Sequence, residues 1–231
     1  MRLKKGNHGH PQGVPHMKGK RMADKKLIAC IQRHGSTTLN EDNKFRSRME
    51  PPLDAKGLRQ AEDAAQNMKL EGIEVKRIVS SPMLRACQTA DAISEVFDVP
   101  VEQDRAIISW NLGEMSGKGK DTWSDILDFF VDNPKLVPPD GESLDSFEER
   151  NFHYFDKEFR KEDQLTVYVS HNSNCVAINR MIDEEYKGRS ESEDDVSAKP
   201  GGTLGIYVDA GGKYSIKLLF GKEEPTAEFG S

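Results

Sequence analysis

Short apolar runs alternate along the chain with segments whose apolar residues recur at helical spacing, and three of those runs stop in polar, chemically capable residues. The first run, Leu27-Ile28-Ala29-Cys30-Ile31, leads into Arg33-His34-Gly35. A second, Val75 to Val79, stops at Ser80-Ser81-Pro82, with Arg85 close behind. A third, Thr166 to His171, ends in Ser170-His171-Asn172. Runs of this length and apolarity read as buried strands. Between them, Leu53, Leu58, Ala61, Ala64, Ala65 and Met68 fall near a 3.6 period, with Gly72 at the C-terminal end. Leu84, Cys87, Ala90, Ile93, Val96 and Phe97 form a second helical stripe, and a third helix starts at "NCVAINRMIDEEY". Strands alternating with helices predict βαβ units and an α/β fold: a mostly parallel sheet with helices on both faces. Two late strands, Gly202–Asp209 and Tyr214–Phe220, flank "AGGK", a hairpin turn.

One core-forming domain is expected, over 27–222, within a chain of 231 residues. Residues 1–26 are rich in Gly, Pro, His and Lys and nearly free of large apolar side chains, so they read as a basic tail unable to order itself. His8, His10 and His16 in that tail have no preorganised geometry and are rejected as a metal site. Residues 223–231 read as a short polar tail, and "GRSESEDDVSAKPGG", from Gly188 to Gly202, as a polar loop.

The net charge of −6 argues against nucleic acid as a partner. It leaves room for a small anion, because a local cluster of Arg and His outweighs the global sign at short range. Cys30, Cys87 and Cys175 are far apart and in no metal-binding spacing, which suits a reducing, cytoplasmic setting. No run is long enough to cross a membrane, and no signal-peptide core precedes Leu27.

In parallel sheets, ligands bind beyond the carboxyl ends of the strands. The three polar endings therefore converge on one edge, bringing together Arg33, His34, Arg85 and His171. Gathering such cations without an anion is heavily penalised. A phosphoryl group fits, since arginine offers it bidentate donors and a helix start adds N–H groups. The expected partner is a small phosphorylated substrate or a phosphoprotein.

In order and spacing, "RHGSTTLN", "SSPMLRACQTA" and "VSHNSNCV" resemble the histidine phosphatase (phosphoglycerate mutase-like) superfamily, supported by "LDAKGLRQAE" and "PDGESLDSFEER". The resemblance covers Leu27 to Phe220 and implies a three-layer α/β/α sandwich. It implies that His34 is a nucleophile forming a phosphohistidine, that Arg33 and Arg85 hold the phosphoryl oxygens, and that His171 donates to them. Asn40 matches the residue closing the family's first motif, and Asn172 follows the second histidine. Gly35 is expected to leave room for the phosphate, and Thr37 either to donate a hydroxyl or to cap a helix. The two-step transfer needs no metal or other cofactor.

The proton donor is where the pattern breaks. Aligning Gly113 and Gly117 of "IISWNLGEMSG" with the family's acid segment puts Ser109 where a Glu is usual. Glu114 is the nearest carboxylate and is the candidate acid, with Asp140 and Glu142 as alternatives further along. Without an acid, only good leaving groups would be turned over: phosphohistidine, acyl phosphates or aryl phosphates. Trp110 reads as a packed aromatic or a leaving-group wall. The leading reading is a metal-independent phosphatase. A mutase using the same phosphohistidine and a non-catalytic phospho-ligand-binding module are the alternatives. The segment from Lys118 to Pro139, with Lys118 and Lys120, is expected to cap the pocket together with the Gly188–Gly202 loop.

Overall fold

The computed structural model describes residues 25–161, 164–184 and 198–221. The tail over 1–24, most of the 188–202 loop and the last ten residues lie outside the described residues.

In chain order the elements are β1 (Lys25–Arg33), α1 (Thr38–Glu41), α2 (Ala55–Leu70), β2 (Arg77–Ser80), α3 (Leu84–Phe97), β3 (Val101–Gln103), α4 (Lys120–Asp132), α5 (Leu144–Phe159), β4 (Thr166–Ser170), α6 (Asn172–Glu184), β5 (Thr203–Asp209) and β6 (Tyr214–Phe220). Six strands form one sheet in the order β3-β2-β4-β1-β5-β6. The β2–β3, β2–β4 and β1–β4 pairings are parallel, while β5 runs antiparallel to both β1 and β6.

Side-chain alternation builds the two covering layers. Cys30, Ile78, Val167 and Val169 point to one face, where they meet Ala65, Met68, Ala86, Ala90 and Ile93 of α2 and α3. Their neighbours Ile31, Val79, Tyr168 and Leu204 point to the other, against Phe155 and Phe159 of α5 and Ile178 and Met181 of α6. The result is the expected three-layer α/β/α sandwich. Asp54 caps α2 by accepting from the Gly57 N–H at 2.7 Å, and the hairpin between β5 and β6 turns at Gly212 with φ +77°.

Several expectations change in detail. Lys25 and Lys26, assigned to the tail, extend β1 by pairing with Asp209 and Val208. Leu58 and Leu84, counted as core, are 45% and 43% exposed; Gly57 and Met83, each one residue earlier, are buried instead. Both leucines sit in the first turn of their helices, Ala55–Leu70 and Leu84–Phe97. The three-residue β3 went unread because it is short and faces solvent at two of its three positions.

Candidate active site

The RHG turn is clamped from both sides by backbone. The Arg33 N–H donates to the Gly202 carbonyl at 2.9 Å, the His34 N–H to the Ser170 carbonyl at 3.0 Å, and the Gly201 N–H to the His34 carbonyl at 3.1 Å. Beneath it, Gly35 meets the start of α2. A Cβ on Gly35 would lie 2.3 Å from the Gly57 carbonyl oxygen, and one on Gly57 would lie 2.1 Å from that of Ser36. Gly35 is therefore required by helix packing, a role the sequence reading did not give it. Overpacking of this kind costs roughly 1–3 kcal/mol. Gly57→Ala should accordingly lower the midpoint of thermal unfolding, by about 2–4 °C per kcal/mol. An unchanged melting curve would refute the contact.

His34 and His171 face each other with ring centroids 5.3 Å apart, and both are buried. Nδ1 of His34 lies 2.7 Å from the carbonyl oxygen of Gly35, which can only accept, so that nitrogen carries the proton. Nε2 is left as the unprotonated nitrogen, and its lone pair accepts from Arg85 Nε at 3.2 Å. Arg85 also donates to the Met49 carbonyl at 2.7 Å and the Ser47 carbonyl at 2.9 Å, and its Nη2 lies 3.2 Å from His171 Nδ1. His171 Nε2 reaches Ser81 Oγ at 2.8 Å. Arg33 is held by Asn172 Oδ1 at 2.9 Å and by the Ala198 carbonyl. The four residues singled out from three strand ends thus line one cavity of about 410 Å³, together with Asn172.

Electrostatics in this cavity are lopsided. Burial first, then the charges of Arg85, His171, Arg46 and Arg33, hold the His34 imidazole well below its ordinary value. Burial and the charges of Arg85, Arg46 and Arg33 do the same to His171. Both rings are therefore neutral at neutral pH. Burial pushes Arg46 down to about 9 and Arg85 down to about 10. These shifts share a cause: positive groups gathered out of water, waiting for an anion.

Other candidates lie elsewhere. Thr37 and Asn40 satisfy one another at the start of α1, where the Thr37 N–H and hydroxyl both donate to Asn40 Oδ1 at 3.0 Å. Thr37 is thus engaged as a helix cap, and neither residue lines the cavity. Glu114 is exposed on the 3₁₀ turn Gly113–Met115, with its N–H tied to the Pro139 carbonyl at 3.0 Å. The turn is packed closely on that carbonyl, leaving no room for a Cβ at Gly113. Asp140 is also exposed. The Glu142 carboxylate is held by Arg48 at 2.7 Å, Arg150 at 3.1 Å and the Asn111 N–H at 2.9 Å. None of these three acids lines the cavity. Ser109 does, 3.4 Å from Ser173 Oγ. Among the described residues, Glu148 is the one lining carboxylate, and it is paired with Arg180 at 2.7 Å.

One wall of the cavity is apolar. Trp110 and Phe147 stack with centroids 6.2 Å apart, and Leu127 and Val131 of α4 close over them. The expected capping role of the segment from Lys118 onward is thus filled by α4, which has no buried residue. Arg46 also lines the cavity and was missed in the sequence. It stands in an irregular stretch between α1 and α2, where no periodicity or motif marks it.

The family model described as the histidine phosphatase superfamily (branch 1) matches residues 29–187. The chain belongs to the histidine phosphatase superfamily. Among its relatives is a 2,3-bisphosphoglycerate-dependent phosphoglycerate mutase of Nitrobacter winogradskyi, 27% identical over 175 residues, which span 71% of this chain and 83% of that protein. The fold is shared with a putative alpha-ribazole-5'-P phosphatase of Escherichia coli, at a TM-score of 0.67 and 17% identity over 85% of this chain and 96% of the other. A phosphoglycerate mutase of Bacillus anthracis superposes at a TM-score of 0.68 with 18% identity, covering 85% of this chain and 94% of that one. The relatives and fold neighbours thus carry names of both mutases and phosphatases.

Proposed function

We propose that the protein is a phosphatase that passes a phosphoryl group from an activated ester to His34 and then to water. The observation carrying this reading is the state of His34: Nδ1 holds the proton against Gly35, and Nε2 presents its lone pair beside Arg85. In the first step Nε2 bonds to phosphorus as the ester P–O bond breaks and the leaving oxygen keeps the electron pair. Arg33, Arg85 and His171 surround the oxygens on which charge accumulates. In the second step water bonds to phosphorus, the P–N bond breaks, the imidazole recovers its lone pair, and the water's protons leave with the inorganic phosphate.

The lining of the cavity narrows the substrate. Ser109 lines it where the family resemblance leads one to expect a Glu, and among the described residues the one lining carboxylate is committed to Arg180. This lining favours aryl or acyl phosphates and phosphohistidine, whose oxygen departs without a proton. The Trp110–Phe147 wall offers an aryl group a surface to stack on. A cytoplasmic location suits this reading, with all three cysteines free.

The test is hydrolysis of p-nitrophenyl phosphate and of an alkyl phosphate in excess chelator. General acid assistance is worth about 10²–10⁴-fold, so without it the alkyl ester should lag the aryl ester by at least that margin. Comparable rates on the two esters would mean that an acid reaches the site after all. A mutase is the second reading, favoured by the names of the relatives. It predicts isomerisation of a phosphoglycerate that outpaces release of inorganic phosphate.

A further inference from the structure

We propose that Thr89 is a positioning residue for the transfer: its buried hydroxyl fixes the proton of His34 on Nδ1 and sets the distance between His34 and Arg85. This role rests on His34 being the reacting base of the phosphatase reading above. Thr89 belongs to "SSPMLRACQTA", the stretch that also supplies Arg85.

Thr89 lies on α3, one turn beyond Arg85, and is buried. Its Oγ1 donates to the Arg85 carbonyl at 2.8 Å, and the Gly35 N–H donates to the same oxygen at 3.1 Å. A carbonyl can only accept and an N–H can only donate, so the direction of both bonds is fixed. A helical threonine that bonds back four residues is ordinary. This one also spends a lone pair on the loop that carries the nucleophile, which makes it a joint between two elements.

What hangs on that joint is the state of His34. The peptide between His34 and Gly35 is gripped at both ends, its N–H by Thr89 and its carbonyl by the Gly201 N–H at 3.1 Å. The next carbonyl, that of Gly35, receives the His34 Nδ1 proton at 2.7 Å. The hydrogen bond made at one ring nitrogen decides where the proton sits, and the other nitrogen is left to react. On the far side of the same hydroxyl, the turn of α3 that it grips carries Arg85, whose Nε meets His34 Nε2 at 3.2 Å. One oxygen therefore anchors both partners of the contact at the reacting nitrogen.

Thr89→Val keeps the shape of the side chain and removes the hydroxyl. The Gly35 N–H then stands inside the protein without its acceptor, a penalised state that turning the peptide relieves. A turned peptide carries the Gly35 carbonyl away from Nδ1, and the proton moves to Nε2 for part of the time. In that form Nε2 has no lone pair to offer phosphorus.

The test is nitrogen-15 NMR of the histidine rings in the full chain at neutral pH, which tells the two neutral tautomers apart, with the His34 signals assigned by their absence from His34→Ala. The wild type should carry the proton on Nδ1; a wild type carrying it on Nε2 would overturn the proposal without any Thr89 variant. Thr89→Val should show a mixture of the two forms. Its kcat on p-nitrophenyl phosphate should fall on the order of 10²-fold, the loss attached to misplacing reacting groups by about 1 Å, with KM nearly unchanged. Thr89→Ser, which keeps the hydroxyl, should restore both the tautomer and the rate. Should Thr89→Val fail to fold, Thr89→Ala removes the same hydroxyl and is read in the same way. An unchanged His34 tautomer in the variants without the hydroxyl, or a serine variant no better than valine, would make Thr89 a packing residue only. A tautomer shift in a protein that hydrolyses nothing would sink the phosphatase reading and leave this one standing.

Discussion

His34→Ala is expected to end turnover of an aryl phosphate, with kcat falling by roughly 10⁴-fold or more, the scale seen when a covalent nucleophile is removed. The two hydroxyls that follow it in the chain are engaged elsewhere. The Ser36 hydroxyl donates to Asp54 at 2.9 Å, and the Thr37 hydroxyl to Asn40. The variant should keep its fold, since the substitution leaves the backbone clamp on residues 33 and 34 intact. Circular dichroism checks that point, and rapid acid-free quenching of the wild type should trap an acid-labile, alkali-stable phosphoprotein absent from the variant. Residual turnover near the wild-type rate would mean that water attacks phosphorus directly and that His34 only binds.

Arg85→Ala should lower kcat by about 10²–10³-fold, as for the loss of a preorganised donor to the transition state. Arg85 does more than donate. It bridges the two histidines while anchored to two carbonyls, so one side chain sets the spacing of the reacting and stabilising groups. Arg85→Lys should recover little, because a single ammonium cannot hold the Met49 and Ser47 carbonyls and still face both rings. The comparison also separates chemistry from folding: a lysine variant with a normal melting curve and a slow rate places the loss in the site. Full activity in Arg85→Lys would mean that charge alone suffices and the fork geometry is idle.

The reacting edge was legible because the chain writes it in three short, separate phrases. Each combines a strand period with a polar ending, and the parallel-sheet rule brings such endings together. The candidate acid is not among the cavity-lining residues, because proximity in sequence is a poor guide in a loop. Glu114 stands five residues from Ser109, yet it is exposed and outside the lining, on a turn tied to the Pro139 carbonyl. The packing role of Gly35 went unread, because its neighbour, Gly57, lies in another element altogether. Arg46 carried no local signal, since its position depends on a bridge between two loops far apart in the chain. Contacts that cross between irregular segments leave no period to read.

The placement of β1 has a consequence for biosynthesis. The strand that carries Arg33 and leads to His34 is synthesised first, yet it pairs only with β4 and β5, whose residues lie more than half the chain further on. With ribosomes adding about 5–20 residues per second, its apolar face and both its edges must wait for many seconds before a partner exists. During that interval it is an unpaired, sticky strand of the kind that seeds aggregation. Its pairing is therefore a late event of synthesis, set by when the carboxyl-terminal half of the domain emerges.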